Sequence, residues 1–173
     1  MSTAPLISSA ANRALASIAD ALAEKDARRR NRLISVALEQ WASEDVEAAG
    51  AWSLAPTGLP RNVALAAVIR GGVGAHPLAT ARYVGRLSVE CPDEADELGH
   101  DLIFALGKNG LWSAAAAWAT GGAQVNPEWI SDAYARWSAA RPEEAQASAA
   151  ALASPPAREA ALSAIVPANP RSS

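Results

Sequence analysis

Trp41-Ala42-Ser43-Glu44-Asp45-Val46-Glu47-Ala48-Ala49-Gly50-Ala51-Trp52 decides the fold. Upstream of it, Leu33, Ile34, Val36, Ala37, Leu38 and Trp41 make an apolar helix that ends near Ser43. Asp45 then offers a short carboxylate to the free N–H groups of a new first turn, the usual chemistry of a helix N-cap. A second helix follows from Val46. The stretch predicts one helix, a sharp corner and the start of the next.

Variants of this corner recur. Later second-helix starts fall at His76-Pro77, Gly110-Leu111 and Arg141-Pro142, and the steps from Val46 to Pro77, Leu111 and Pro142 are 31, 34 and 31 residues. The helices between the corners start at Pro60, Cys91-Pro92, Asn126-Pro127 and Pro156, at steps of 32, 35 and 29. Proline has no N–H to lose in a first turn, and its fixed φ suits that position. Two interleaved series of one period predict a helix–turn–helix unit repeated about four times. Aromatic residues mark the second helices at Trp52, Tyr83 and Trp118, while Ser148 takes that place in the last. Trp41 and Trp137 mark the ends of first helices.

These residues make the chain similar to bacterial α-helical solenoids of the HEAT-like and tetratricopeptide-like kind, over roughly Asn31 to Val166. Trp41-Ala42, Asp45, Ala48-Ala49 and Trp52 resemble the tandem pattern Trp-Ala-x-x-Asp-Pro-x-Ala-Ala-x-x-Trp, and Trp137, Arg141-Pro142 and Ala145 keep half of it. The tetratricopeptide signature Trp-x-x-Leu-Gly-x-x-Tyr is absent. The resemblance implies an all-α fold, an α-solenoid of about four helix–turn–helix repeats plus an N-terminal helix.

Composition agrees. The 173 residues suffice for one domain with a continuous core, and 44 of them are alanine, the best helix former and a small one. The six Trp against one Phe are expected to fill gaps between helices. No alternating strand pattern appears. A net charge of −3 opposes nucleic-acid binding, and a single cysteine, Cys91, excludes an internal disulfide. No apolar run long enough to span a membrane and no secretory signal is visible, so a cytoplasmic location is the default expectation.

In chain order, residues 1–166 form one helical-repeat domain. Residues 7–30 hold an N-terminal helix or cap reaching about Arg28, capped by Ser8 or Ser9. Repeats cover 31–59, 60–91, 92–126 and 127–155, a terminal helix covers 156–166, and 167–173 are expected to be a disordered tail. Gly71-Gly72-Val73-Gly74 reads as a flexible helix end. It is no phosphate cradle, because no strand precedes it and no Gly-Lys-Ser/Thr follows. The fifth helix, Pro77 to about Val89, contains Leu78, Ala81, Val84 and Leu87, and in the Pro92 helix Ala95, Leu98, Leu102, Ile103 and Leu106 are expected inward.

Chemistry is sparse. Glu97-x-x-His100 has the spacing used by di-iron helix bundles, but such sites need a second copy and two more carboxylates, and His76 is the only other histidine. No metal, cofactor or catalytic residue is expected. Trp41 and Asp45, four apart, could mimic the Trp and Asp of HEAT-like DNA glycosylases, but both already have a role in the corner. The remaining candidates are surfaces. Asp93, Glu97 and Asp101 form one acidic stripe on the Pro92 helix, and Arg28, Arg29, Arg30 and Arg32 form the one basic cluster, expected near the C-terminal end of the first helix. The expected work is non-catalytic binding of another protein or peptide. A structural subunit of a larger assembly and a nucleic-acid-acting enzyme are the alternatives.

Overall fold

Asp45 connects two helices by itself. Its N–H donates to the Trp41 carbonyl at 2.7 Å, which closes the first helix. Its carboxylate accepts from the Ala48 N–H at 3.0 Å, which opens the second. One extended residue, with φ −150° and ψ 85°, therefore turns the chain. Cys91 (φ −144°, ψ 78°) and Arg141 (φ −147°, ψ 77°) repeat that geometry, each again donating to the carbonyl four residues back at 2.7 Å. Neither caps the next helix with its side chain. Pro92 and Pro142 follow them, and a residue before proline is driven out of the α region, which makes the same corner by a different route.

The computed structural model describes residues 8–122 and 126–165. Among these residues the chain is all α, with ten helices and no strand. The expected N-terminal lead, the 167–173 tail and the end of the terminal helix at Val166 lie outside the described residues. The helices are α1 (Ser9–Leu22), α2 (Ala27–Glu44), α3 (Val46–Leu54), α4 (Arg61–Gly72), α5 (Pro77–Glu90), α6 (Pro92–Lys108), α7 (Trp112–Gly121), α8 (Pro127–Ala140), α9 (Pro142–Ala150) and α10 (Pro155–Ala164). None is long and apolar enough to cross a membrane. They fall into two compact units divided within α6, Met1–Leu98 and Gly99–Ser173.

In the first unit α4 is central, packed by α2, α3 and α5. Its residues Ala64 to Ile69 are all buried, as expected of a helix apolar on every side. Gly71, inside α4, lies against the backbone of Glu39 in α2, so close that a Cβ would overlap the Glu39 carbonyl. Gly50 of α3 likewise receives the Tyr83 ring from α5. The alanine and glycine content thus appears as close helix–helix contact. The pairs Glu39–Arg70 (2.9 Å), Ser43–His76 (3.1 Å) and Asn62–Glu94 (2.8 Å) join one helical hairpin to the next at sequence separations of 31, 33 and 32. In the second unit α8 packs against α7, α9 and α10. Trp118 and Trp129 tilt together with centroids 4.8 Å apart, and Tyr134 lies 5.8 Å from Trp137. At the position without an aromatic, the Ser148 hydroxyl lies 3.0 Å from the Tyr134 hydroxyl, in hydrogen-bond contact with it.

Several element ends differ from the sequence reading. The first helix stops at Leu22, and α2 begins at Ala27, because Asp26 caps it by accepting from the Arg29 N–H at 2.7 Å. Gly71 and Gly72 are helical; α4 runs through them to its end at Gly72, and a turn over 73–75 leads to His76, which precedes Pro77 at the start of α5. The ninth helix ends at Ala150, inside the repeat expected to reach residue 155. Helix α1 pairs with α2, and the Arg13–Glu44 ion pair at 2.7 Å together with the short connection makes the two antiparallel.

Candidate functional site

Helix α6 is built as the sequence suggested. Ala95, Leu98, Leu102, Ile103 and Leu106 are buried, which turns Asp93, Glu97 and Asp101 outward, and all three are exposed. Proline at its first position and two acids in its first turn start it well. Glu94 accepts from the Asn62 side chain at 2.8 Å, so it belongs to the packing between hairpins. Phe104 stands one turn beyond Asp101 on the same outward face and is 54% exposed, with the Arg136 guanidinium 5.4 Å from its ring. The sequence reading missed this aromatic end to the stripe.

His100 does not use Glu97. Its Nδ1 meets the Asp132 carboxylate of α8 at 2.9 Å, and Arg136 donates from Nε to the other Asp132 oxygen at 2.6 Å. Asp132 and Arg136 are spaced four apart on α8, a visible helical ion-pair signal. Their meeting with His100 follows the repeat period, since the separation is 32. Glu128 can bring a carboxylate oxygen within 4.8 Å of a His100 ring nitrogen. The group holds together as a hydrogen-bonded relay from imidazole to carboxylate to guanidinium, and it ties α6 to α8 within the second unit.

The basic cluster lies elsewhere than expected. Arg28, Arg29, Arg30 and Arg32 occupy the first turns of α2 and not the end of α1. Cations there meet the positive end of the helix dipole, which disfavours them. Local acids offset part of this: Arg29 pairs with Glu24 at 3.2 Å, and Arg30 donates to the Glu24 carbonyl at 3.3 Å. Arg28 and Arg32 are exposed and make no ion pair among the described residues. Leu33 (43%), Val36 (56%) and Leu22 (54%) are exposed, so the apolar residues of α2 are not all drawn into the core. In α5 the inward set is Pro77, Thr80, Tyr83, Val84 and Leu87, and Leu78 is turned out.

The tryptophans expected to pack do so at Trp41, Trp129 and Trp137, each at most 7% exposed. With Trp41 buried and the Asp45 carboxylate occupied as a cap, these two residues do not form an exposed pair. Concavities among the described residues include two in the first unit. One, of about 350 Å³, lies between α1 and α2, lined by Ala10, Arg13, Ala14, Gln40, Trp41 and Glu44 among others. The other, of about 500 Å³, is an open hollow lined by Ala51, Leu54, Arg82, Tyr83 and Arg86, in which Arg82 already pairs with Glu47.

No protein-family model, curated protein or solved structure matches the chain.

Proposed function

We propose that the chain is an α-solenoid scaffold that binds another protein or peptide without catalysis. One observation carries this reading. Polar bonds between successive hairpins recur at one period, 31 to 33 residues, at Glu39–Arg70, Ser43–His76, Asn62–Glu94 and His100–Asp132. The partners differ but the separation recurs, as it does where hairpins stack, and stacked hairpins present long helical surfaces to partners. The charged faces of α2 and α6 are the surfaces such a partner would use. Exposed charge in an interface speeds association and selects partners more than it adds affinity.

Affinity purification with the wild-type chain and with Glu97→Lys/Asp101→Lys and Arg28→Glu/Arg32→Glu variants is the direct experiment. A captured protein that is lost from one folded double variant supports the reading. Capture of nothing, or capture unchanged by both variants, removes these faces from it. Small-angle scattering checks the architecture: stacking gives a radius of gyration above the roughly 16 Å of a compact domain of this length.

A further inference from the structure

Two exposed helix faces mirror each other. On α2, Arg29, Arg32 and Val36 follow at three and four residues; on α6, Glu97, Asp101 and Phe104 follow at four and three. In each, two like charges lead and an apolar side chain comes seven residues after the first charge. At 1.5 Å rise per residue that is about 10.5 Å in both helices. The charges have opposite sign. Arg28 and Lys25 broaden the basic set, Asp93 extends the acidic one, and all three are exposed. Among the described residues Arg28, Arg32, Asp93, Glu97 and Asp101 have no ion pair within the molecule, while Arg29 shares its charge with Glu24. The apolar ends match as well. Val36, Leu33 and Leu22 are 56%, 43% and 54% exposed. Because α1 runs antiparallel to α2, with Arg13 level with Glu44, Leu22 comes level with Ser35, between Leu33 and Val36. Phe104 is the largest exposed apolar side chain on α6.

We propose that the α2 face of one copy docks on the α6 face of another. Laid parallel, the helices set Arg29 opposite Glu97, Arg32 opposite Asp101, and Phe104 on the seat formed by Val36, Leu33 and Leu22. Charge complementarity selects this occupant: the α2 face asks for acids followed by an apolar group, and α6 supplies that order and spacing. The contact is heterologous. Each docked copy keeps one face free, so association proceeds to chains and does not stop at a pair. The inference rests on the scaffold reading for its use of helix faces, and it names the partner as the chain itself.

Sedimentation velocity on the purified chain tests it. The expected result is concentration-dependent growth at about 0.01 M salt that disappears at about 1 M, as the Debye length falls from about 30 Å to about 3 Å. Arg29→Glu/Arg32→Glu and Glu97→Lys/Asp101→Lys should each be monomeric. The first is safe for folding, since acids suit the start of a helix; circular dichroism confirms both. An equimolar mixture of the two reversed variants should associate again, because each reversed face meets a complement. Phe104→Ala should weaken growth with all charges in place. A wild-type chain that stays monomeric at low salt, growth that survives both reversals, or a mixture that stays monomeric overturns the proposal. So does a wild-type monomer that binds anionic phosphatidylserine vesicles through the α2 arginines. A monomer that still captures another protein overturns self-docking and leaves the scaffold reading standing. A self-associating chain that captures nothing does the reverse.

Discussion

Trp41 and Trp137 stand at equivalent corners, each 5% exposed. Both have an indole N–H that is buried without an acceptor. The two properties act in opposite directions. The rings fill inter-helix space, so Trp41→Ala and Trp137→Ala should each cost about 3–5 kcal/mol. The unpaired N–H is itself unfavourable by about 1–3 kcal/mol. Trp41→Phe should therefore cost much less than Trp41→Ala, and thermal melts of the two variants measure the difference. Gly71 is a second sensitive position. Gly71→Ala places a methyl on the Glu39 carbonyl, which is backbone and cannot turn aside. A loss of at least about 1–3 kcal/mol is expected by denaturant titration, the usual cost of overpacking. The first case was legible in the sequence as an apolar aromatic at a repeated place. The second was not: Gly71 read as a helix end, because nothing in a sequence shows which residue of another helix it will meet.

Helix starts were more legible than helix ends. A start is encoded locally, by Asp45, by Asn126 and by the prolines at 77, 92, 127 and 142, and each of these opens its helix as expected. Asp45→Ala should destabilise by about 1 kcal/mol, the value of a side-chain cap, measurable by urea titration with an unchanged slope. Ends are set by packing. Helix α4 continues through two glycines because Gly72 is held against Thr80 and Val46, contacts no local signal announces. The start furthest from its expected place, α2, had its signal in view: Asp26 is an ordinary cap residue, and α2 begins at Ala27, four residues before the expected Asn31. That shift moved the basic candidates from a favourable helix end to an unfavourable one. For the acidic stripe the apolar period of α6 was clean, so Asp93, Glu97 and Asp101 were placed correctly. Phe104 was not placed by the sequence reading, although it stands three residues after Asp101 and so continues the outward face.

At the scale of the chain, the period itself was readable from prolines and corners. The His100–Asp132–Arg136 group was not, since it needs two helices brought to one level. The all-helical architecture depends on caps, close packing and apolar burial throughout. Circular dichroism should therefore show the same helical signal and the same melting midpoint before and after a strong chelator. A chelator-dependent loss of helix would instead give the His100 and Glu128 neighbourhood a structural metal.

The bonds Glu39–Arg70, Asn62–Glu94 and His100–Asp132 span 31, 32 and 32 residues. Each therefore closes a loop of nearly the same length, and loop-closure entropy varies only slowly with length. On a ribosome, where the N-terminal part emerges first, a hairpin needs to wait only for the next thirty or so residues before its neighbour can dock. Each of these three bonds can therefore form soon after its second partner is made. Under the stacking proposed above, force applied from one end should release the chain in steps of about one repeat.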